Sequence, residues 1–383
     1  MKSLSILLSV FWMIFNAGCN KKMVPVTSSI ADTTAVYHWA KFNMGADLSY
    51  VLQMKSKEVI YKDSGKAIEA FDLFKNNGCN TVRLKLWHSP KAYSSKWGND
   101  QDYNSLEQVA SLIQMAKSAG MAVNLNLHYS DTWADPQKQI IPAAWSGLDL
   151  ATMKDSVYRY TLYVLNYLKS KNGVPEMIQV GNETNTGMLW PVGKVDNNDF
   201  NAFAQLLNSG IKAVRDFSAS SVIKPKIILH EAQLQTATWW IAGIVNAGVT
   251  DFDIIGLSHY ADWSTINNMT DITALIKKLK TTYNKKVMIV EVAYWWNTKD
   301  AAGNNIKQTP VAGYPFSNDG QYRYLKDLTQ AIIDGGGTGI QYWAPDYMNS
   351  RGGEMTARSL VDFSGNALPG ILFMKYAYQS LKK

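Results

Sequence analysis

The residues predict an α/β chain folded as a single (β/α)₈ TIM barrel. Three observations carry this: eight short β-like runs, amphipathic helical stretches between them, and 383 residues without an internal linker. An open doubly wound sheet normally stops at fewer strands. Length alone also allows two domains, but no Pro/Gly/Ser-rich break or composition shift divides the chain after about residue 36.

Taken in order, the first element is an address. Lys2 precedes an apolar run over residues 4–15, too short to span a bilayer and long enough for a signal-peptide core. Ala17, Gly18 and Cys19 follow, two small residues before a cysteine. They resemble a bacterial lipobox in which Asn16 replaces the usual aliphatic residue. Residues 1–18 are therefore read as a lipoprotein signal peptide and Cys19 as the lipidated first residue of the mature chain. That makes the protein a secreted lipoprotein of a bacterial outer membrane or cell surface; a plain secretory signal with an incidental cysteine is the alternative. Residues 19–36, polar and rich in Ser and Thr, read as a flexible tether, and 37–383 as the barrel.

An opening strand is expected at 43–47. Ala67, Ala70, Phe71 and Phe74 then fall at i, i+3, i+4 and i+7, Gly78 stops that helix, and 81–86 (TVRLKL) reads as strand. Leu106, Val109, Ala110 and Ile113 repeat the stripe, Gly120 ends it, and 122–127 (AVNLNL) follows as strand. Further strands are expected at 177–180, 226–229, 254–258, 287–290 and 339–343. Helices are expected at 156–170, 199–217, 238–247, 271–283 and 321–334, with 371–381 closing the chain.

The formal charge of +7 is spread over many lysines with no block of like charge, which gives no reason to expect a nucleic-acid partner. A solvated lysine surface accounts for it, with attraction to acidic polysaccharide or an anionic membrane as the other reading. The load of 13 Trp and 20 Tyr exceeds ordinary core needs and suits stacking on sugar faces. If Cys19 is lipidated, Cys79 is left without a disulfide partner and reads as a small buried hydrophobe.

In such barrels the active site lies where strands end. The polar and aromatic residues at those ends are Asp47, Arg83 with Trp87 and His88, His128 with Tyr129, Asn182 with Glu183, His230 with Glu231, His259 with Tyr260, Glu291, and Trp343. Glycosidic oxygens leave poorly as alkoxides, so hydrolysis needs a proton donor and a second carboxylate to attack or stabilise the oxocarbenium-like centre. Glu183 after strand four and Glu291 at the end of strand seven fit that pair. Taken singly, Glu183 could equally cap a helix or join a loop ion pair, and Glu291 could be a buried partner of Arg83.

The runs GADLSYV (45–51), NTVRLKLWHSP (80–90), LHYSDTWADPQKQ (127–139), QVGNETNTGMLWP (179–191), VEVAYWW (290–296) and LVDFSGNALP (360–369) resemble glycoside hydrolase family 53, the endo-β-1,4-galactanases. The resemblance implies retaining hydrolysis of the neutral β-1,4-galactan side chains of pectin, with Glu183 as acid/base and Glu291 as nucleophile. It implies that Asn182 bonds the sugar 2-hydroxyl and that Arg83 and Tyr260 hold Glu291 ionised. His128, Asp131 and Trp133 would line the glycone subsites, Trp87 and Trp343 would supply stacking walls, and Asp47 joins the substrate-binding set. No organic cofactor and no metal are expected in the chemistry, and a monomer is expected.

Three departures from the family pattern touch subsites. Trp295 follows Tyr294 where relatives have Pro, Ala344 stands where an acidic residue is usual, and His259 replaces an aromatic ring. Asp346, Asn349 and Glu354 in the last long loop could hold a calcium ion as in some relatives, although no spaced oxygen-ligand pattern calls for one. Two alternatives stay open at this level: a barrel glycosidase for another β-linked polymer such as mannan or cellulose, and a non-catalytic surface glycan-binding lipoprotein.

Overall fold

The computed structural model describes residues 35–91 and 102–381. The expected signal peptide, Cys19 and nearly all of the tether lie outside the described residues. Eight parallel strands close into a barrel in sequence order: β1 Asn43–Asp47, β2 Thr81–Leu86, β3 Ala122–Leu127, β4 Met177–Val180, β5 Lys226–Glu231, β6 Ile254–His259, β7 Lys286–Val292 and β8 Gly339–Trp343, with β8 pairing back onto β1. Among the described residues the α-helices are α1 Val51–Ser56, α2 Ala70–Asn76, α3 Leu106–Ser118, α4 Leu150–Ser170, α5 Asn201–Ala219, α6 Ala237–Asn246, α7 Met269–Tyr283 and α8 Asn318–Asp334.

Local chemistry explains most boundaries. Ser105, Asp149, Asn268 and Ser317 each accept a backbone N–H in the first turn of α3, α4, α7 and α8. The Asp149 cap starts α4 at Leu150, ahead of the helix expected from 156 by more than one and a half turns.

Two expected helical pieces are corrected. Ala67 lies in a hairpin, Tyr61–Asp63 paired with Lys66–Ile68, closed by Ser64 (φ 50°) and Gly65 (φ 78°), a left-handed pair that turns strands tightly. The helix therefore starts only at Ala70. At the other end, 371–381 forms 3₁₀ turns, Pro369–Lys375 and Gln379–Leu381, instead of one α-helix. Tyr37 pins the break, donating to the Tyr376 carbonyl at 2.7 Å and accepting the Tyr378 N–H at 2.8 Å.

The barrel interior is layered. Met177, Ile228, Ile254, Met288 and Val290 form a separate apolar cluster with Trp39 packed against it. Fully burying such side chains contributes about 2 kcal/mol each. Amides link up next: Gln341 donates to Asn43, and Asn124 donates to both Gln341 and Gln179. Gly45 makes room here, since a Cβ would stand 2.5 Å from Gln341 Cγ. This polar stack feeds directly into the charged groups at the strand C-termini. Cys79 is buried, donates to the Thr81 carbonyl, and has its thiol pushed up to about 12 by burial, which leaves it no nucleophilic role.

One buried pair gives a stability test. Asp346 is fully buried with neither carboxylate oxygen hydrogen-bonded, and burial pushes it up to about 7. Lys85, also buried without a hydrogen bond on Nζ, is pushed down to about 8 and lies over the Tyr50 ring at 3.7 Å and the Trp133 ring at 4.4 Å. A carboxyl whose pKa is raised on folding disfavours the folded state as pH climbs from its ordinary value near 3.8 to about 7. The accumulated penalty is at most on the order of 4 kcal/mol. Asp346→Asn removes it, so the melting temperature of the variant relative to wild type rises steadily between these two pH values. A pH-independent difference in melting temperature would contradict the assignment.

Candidate active site

The β4–α5 side of the mouth is built on an unusual backbone. Gly181 (φ 89°) and Glu183 (φ 48°) are both left-handed, which turns the chain back over the barrel. For Glu183 this conformation costs about 1 kcal/mol. It is held by Gln139, whose Nε2 donates to the carbonyls of Asn182 (2.9 Å) and Glu183 (3.2 Å), and by Thr184, whose N–H and hydroxyl both donate to the His230 carbonyl.

Glu291 reaches the same space through a bulge. Ile289 pairs with Leu257, but the next pair is Ser258 with Glu291, so Val290 is an extra residue. Val290 packs in the interior cluster, and strict alternation would then turn Glu291 to the outside. The bulge lets two successive side chains face inward.

A carboxylate oxygen of Glu183 and one of Glu291 lie within 4.8 Å of each other and of a His230 nitrogen. This matches the roughly 5 to 5.5 Å spacing of retaining glycosidases and falls short of the roughly 6.5 to 9.5 Å of inverting ones. The two environments differ. Glu291 accepts from Arg83 Nη2 at 2.7 Å and from Tyr260 at 2.7 Å, and both pull against the rise that burial imposes on its carboxyl. Glu183 has no cation in contact; burial, then the Glu291 charge, hold it well above the usual carboxylate range. One group is thus set to be ionised while the other keeps its proton. Glu183, His230 and Glu291 are also the acidic and histidine groups, among the described residues, close enough to share a metal ion. Arg83 and Tyr260 already occupy both oxygens of Glu291, and Ser258 occupies Oε1 of Glu183.

The groove around the pair has a volume of about 520 Å³ and is lined by Trp133, Asn182, Glu183, Tyr260, Glu291 and Trp343, all expected from sequence. Asn182 Oδ1 accepts from Arg83 and Asn126, and its Nδ2 donates to the Ala134 carbonyl. Trp87, Trp133, Trp343, Tyr260 and Trp263 form a continuous aromatic arc, with successive ring centroids 5.5–6.3 Å apart.

Five expected substrate residues do not line the groove. Asp47 is buried and spent on Arg83 Nη1 (2.6 Å) and the Ser49 hydroxyl (2.6 Å). Arg83 lies beneath Glu291. His128 is buried, its nitrogens taken by the Ala134 N–H and the Asn126 amide. Asp131 accepts the Ala143 N–H and lies 3.5 Å from His88, which ties down its own loop. Trp87 is buried behind Trp133.

The groove also holds residues missed in the sequence: Asp135, Gln137, Gln233, Trp263 and Arg358. Arg358 stacks on Trp295 at 3.9 Å and pairs with Asp262 at 3.1 Å. It stands on a loop fifteen residues beyond β8, where no strand-end rule points. Of the calcium candidates, Asp346 is fully buried, Asn349 donates to the Gly352 carbonyl, and Glu354 accepts from Gln308. A larger cleft of about 860 Å³, lined by Lys57, Lys62, Arg351 and Phe363 among others, contains neither glutamate of the pair.

Residues 43–374 match the sequence model of glycosyl hydrolase family 53. The chain belongs to this family. An arabinogalactan endo-β-1,4-galactanase of Cellvibrio japonicus is 38% identical over 92% of this chain and 94% of its own. The family 53 catalytic domain of Ignisphaera aggregans superposes with a TM-score of 0.76 at 28% identity, covering 90% of this chain and 100% of that domain. A fungal β-1,4-galactanase structure gives 0.75 at 28% identity over 88% and 99%. Family 53 membership makes the chain a glycoside hydrolase, and the closed barrel is the fold that it shares with these structures.

Proposed function

We propose that this family 53 hydrolase is a retaining endo-β-1,4-galactanase acting on the galactan side chains of pectin. The observation that carries the reading is the close approach of Glu183 and Glu291, with a proton-holding environment on one side and Arg83 on the other. Glu183 protonates the glycosidic oxygen while Glu291 attacks the anomeric carbon. Glu183 then deprotonates the water that releases the covalent intermediate. Asn182 holds the 2-hydroxyl through contacts that strengthen at the transition state, and Tyr260 with Arg83 keeps Glu291 oriented and charged. Both groups that move protons or electron pairs belong to the chain, so the chemistry calls for no organic cofactor. The aromatic arc is longer than one sugar ring, which favours binding within a chain over binding at its end.

The substrate assignment rests on the galactanase relatives and on the groove lined by Trp133, Tyr260, Trp263 and Trp343. The Cys19 anchor rests on the small residues before it and on the polar tether. Among the described residues no helix is long and apolar enough to cross a membrane.

A polysaccharide panel tests the reading. β-1,4-Galactan should yield oligosaccharides that are initially of β configuration by NMR, whereas mannan and cellulose should yield none; the reverse preference would refute the substrate class. Run on cell fractions, the same assay tests the anchor: Cys19→Ala should move activity from the membrane to the medium.

A further inference from the structure

Behind Glu183 stand two fully buried side chains that the reaction scheme leaves unused. Ser258 Oγ lies 2.7 Å from Glu183 Oε1 and 2.9 Å from His230 Nε2. The direction of these bonds follows from the far side of the imidazole. His230 Nδ1 is 3.2 Å from the Glu183 backbone nitrogen, and an N–H can only donate, so Nδ1 accepts. Gln179 Nε2, 3.1 Å from Nδ1, also donates to it, because Gln179 Oε1 is already taken by Arg83 and Asn124. Asn182 Oδ1, 3.2 Å from Nδ1, is engaged by Arg83 and Asn126 and adds no donor.

Burial, with Arg83 close by, holds His230 well below the usual imidazole range, so it carries one proton. That proton sits on Nε2 and points at Ser258, and the serine proton is left for Glu183 Oε1.

We propose that His230 and Ser258 form a one-way hydrogen-bond relay that makes Glu183 Oε1 a permanent acceptor, so that the catalytic proton resides on Oε2. The inference rests on Glu183 being the acid/base. Both relay residues are positioning residues. In the first step Oε2 gives its proton to the leaving oxygen, and in the second it takes one from water. The relay bonds never reverse, and no proton travels along them. The charged or titratable groups facing Glu183 are Glu291 from β7, Arg83 from β2, Asp135 after β3, His230 from β5 and Tyr260 after β6. The Ser258 bond opposes the burial that raises Glu183.

The test uses purified full-length Ser258→Ala and Ser258→Thr with galactan, whose leaving group needs protonation, and with a dinitrophenyl β-galactobioside, whose leaving group does not. Ser258→Ala should lower kcat on galactan roughly 10- to 100-fold with KM nearly unchanged, a part of the roughly 10²- to 10⁴-fold worth of a positioned acid. It should leave the dinitrophenolate burst within about threefold and move the alkaline limb of the pH profile upward. Ser258→Thr, which keeps the hydroxyl, should restore most of kcat. Equal losses on both substrates, an unmoved limb, or failure of threonine to rescue would overturn the relay. Galactan cleavage surviving Glu183→Ala would instead overturn the acid/base reading itself, so the two failures are distinguishable.

Discussion

Glu291→Ala is expected to lower galactan cleavage by on the order of 10⁴-fold or more, since it removes the group that forms the covalent intermediate. The fold should survive, because Arg83 keeps Asp47, Gln179 and Asn182 as partners. The vacated space lies against Arg83 and Tyr260 and suits a small anion. Azide should therefore enter, attack the anomeric carbon from the same side and restore turnover of an activated aryl glycoside, giving the α-glycosyl azide. Rescue that gives the β-azide would mean that the two glutamates have exchanged roles. More than about one-hundredth of wild-type activity without azide would remove Glu291 from the chemistry.

Glu183→Ala should cost roughly 10²- to 10⁴-fold in kcat on galactan, the usual worth of a positioned acid. The pH dependence has a definite sign. Glu183 is held well above the ordinary carboxylate range, so its proton is present at low pH and leaves as pH rises through that elevated value. Activity of the wild type falls on the alkaline side for this reason, and the alkaline limb should vanish in the variant. Azide should accelerate breakdown of the intermediate and give the β-product, opposite to the outcome at 291. The substitution also removes a carboxyl whose ionisation is opposed by folding, so the variant should melt no lower than wild type at neutral pH. An unchanged alkaline limb would show that another group supplies the proton.

Strand positions were legible as short apolar and β-branched runs between helical stretches, with polar residues alternating with apolar ones in 81–86 and 122–127. All eight barrel strands overlap their expected ranges, and 43–47, 81–86, 122–127, 177–180 and 339–343 match end for end. Failures came where a tertiary contact overrides a local pattern. The apolar spacing of Ala67 with Ala70 looked helical until the Ser64–Gly65 turn placed Ala67 in a hairpin. The closing helix was broken by Tyr37, more than three hundred residues earlier.

At the site, strand-end position identified chemistry but not depth. Asp47, Arg83 and His128 follow the same rule as Glu291, yet they form the support beneath it because neighbouring side chains and backbone groups satisfy them first. Ser258 is not among the strand-end candidates, though its spacing of two and four residues from Gly256 and Ile254 puts it on the inward face.

Sequence alone determined the barrel, the two glutamates and the family, since each depends on residue type and spacing along one chain. Only the tertiary structure decided which groups line the groove and which stand behind it. It alone supplied the Val290 bulge that turns Glu291 inward. The physical reason is that strand register and hydrogen-bond direction are set by partners far apart in the chain. No local pattern encodes which acceptor a distant donor reaches first.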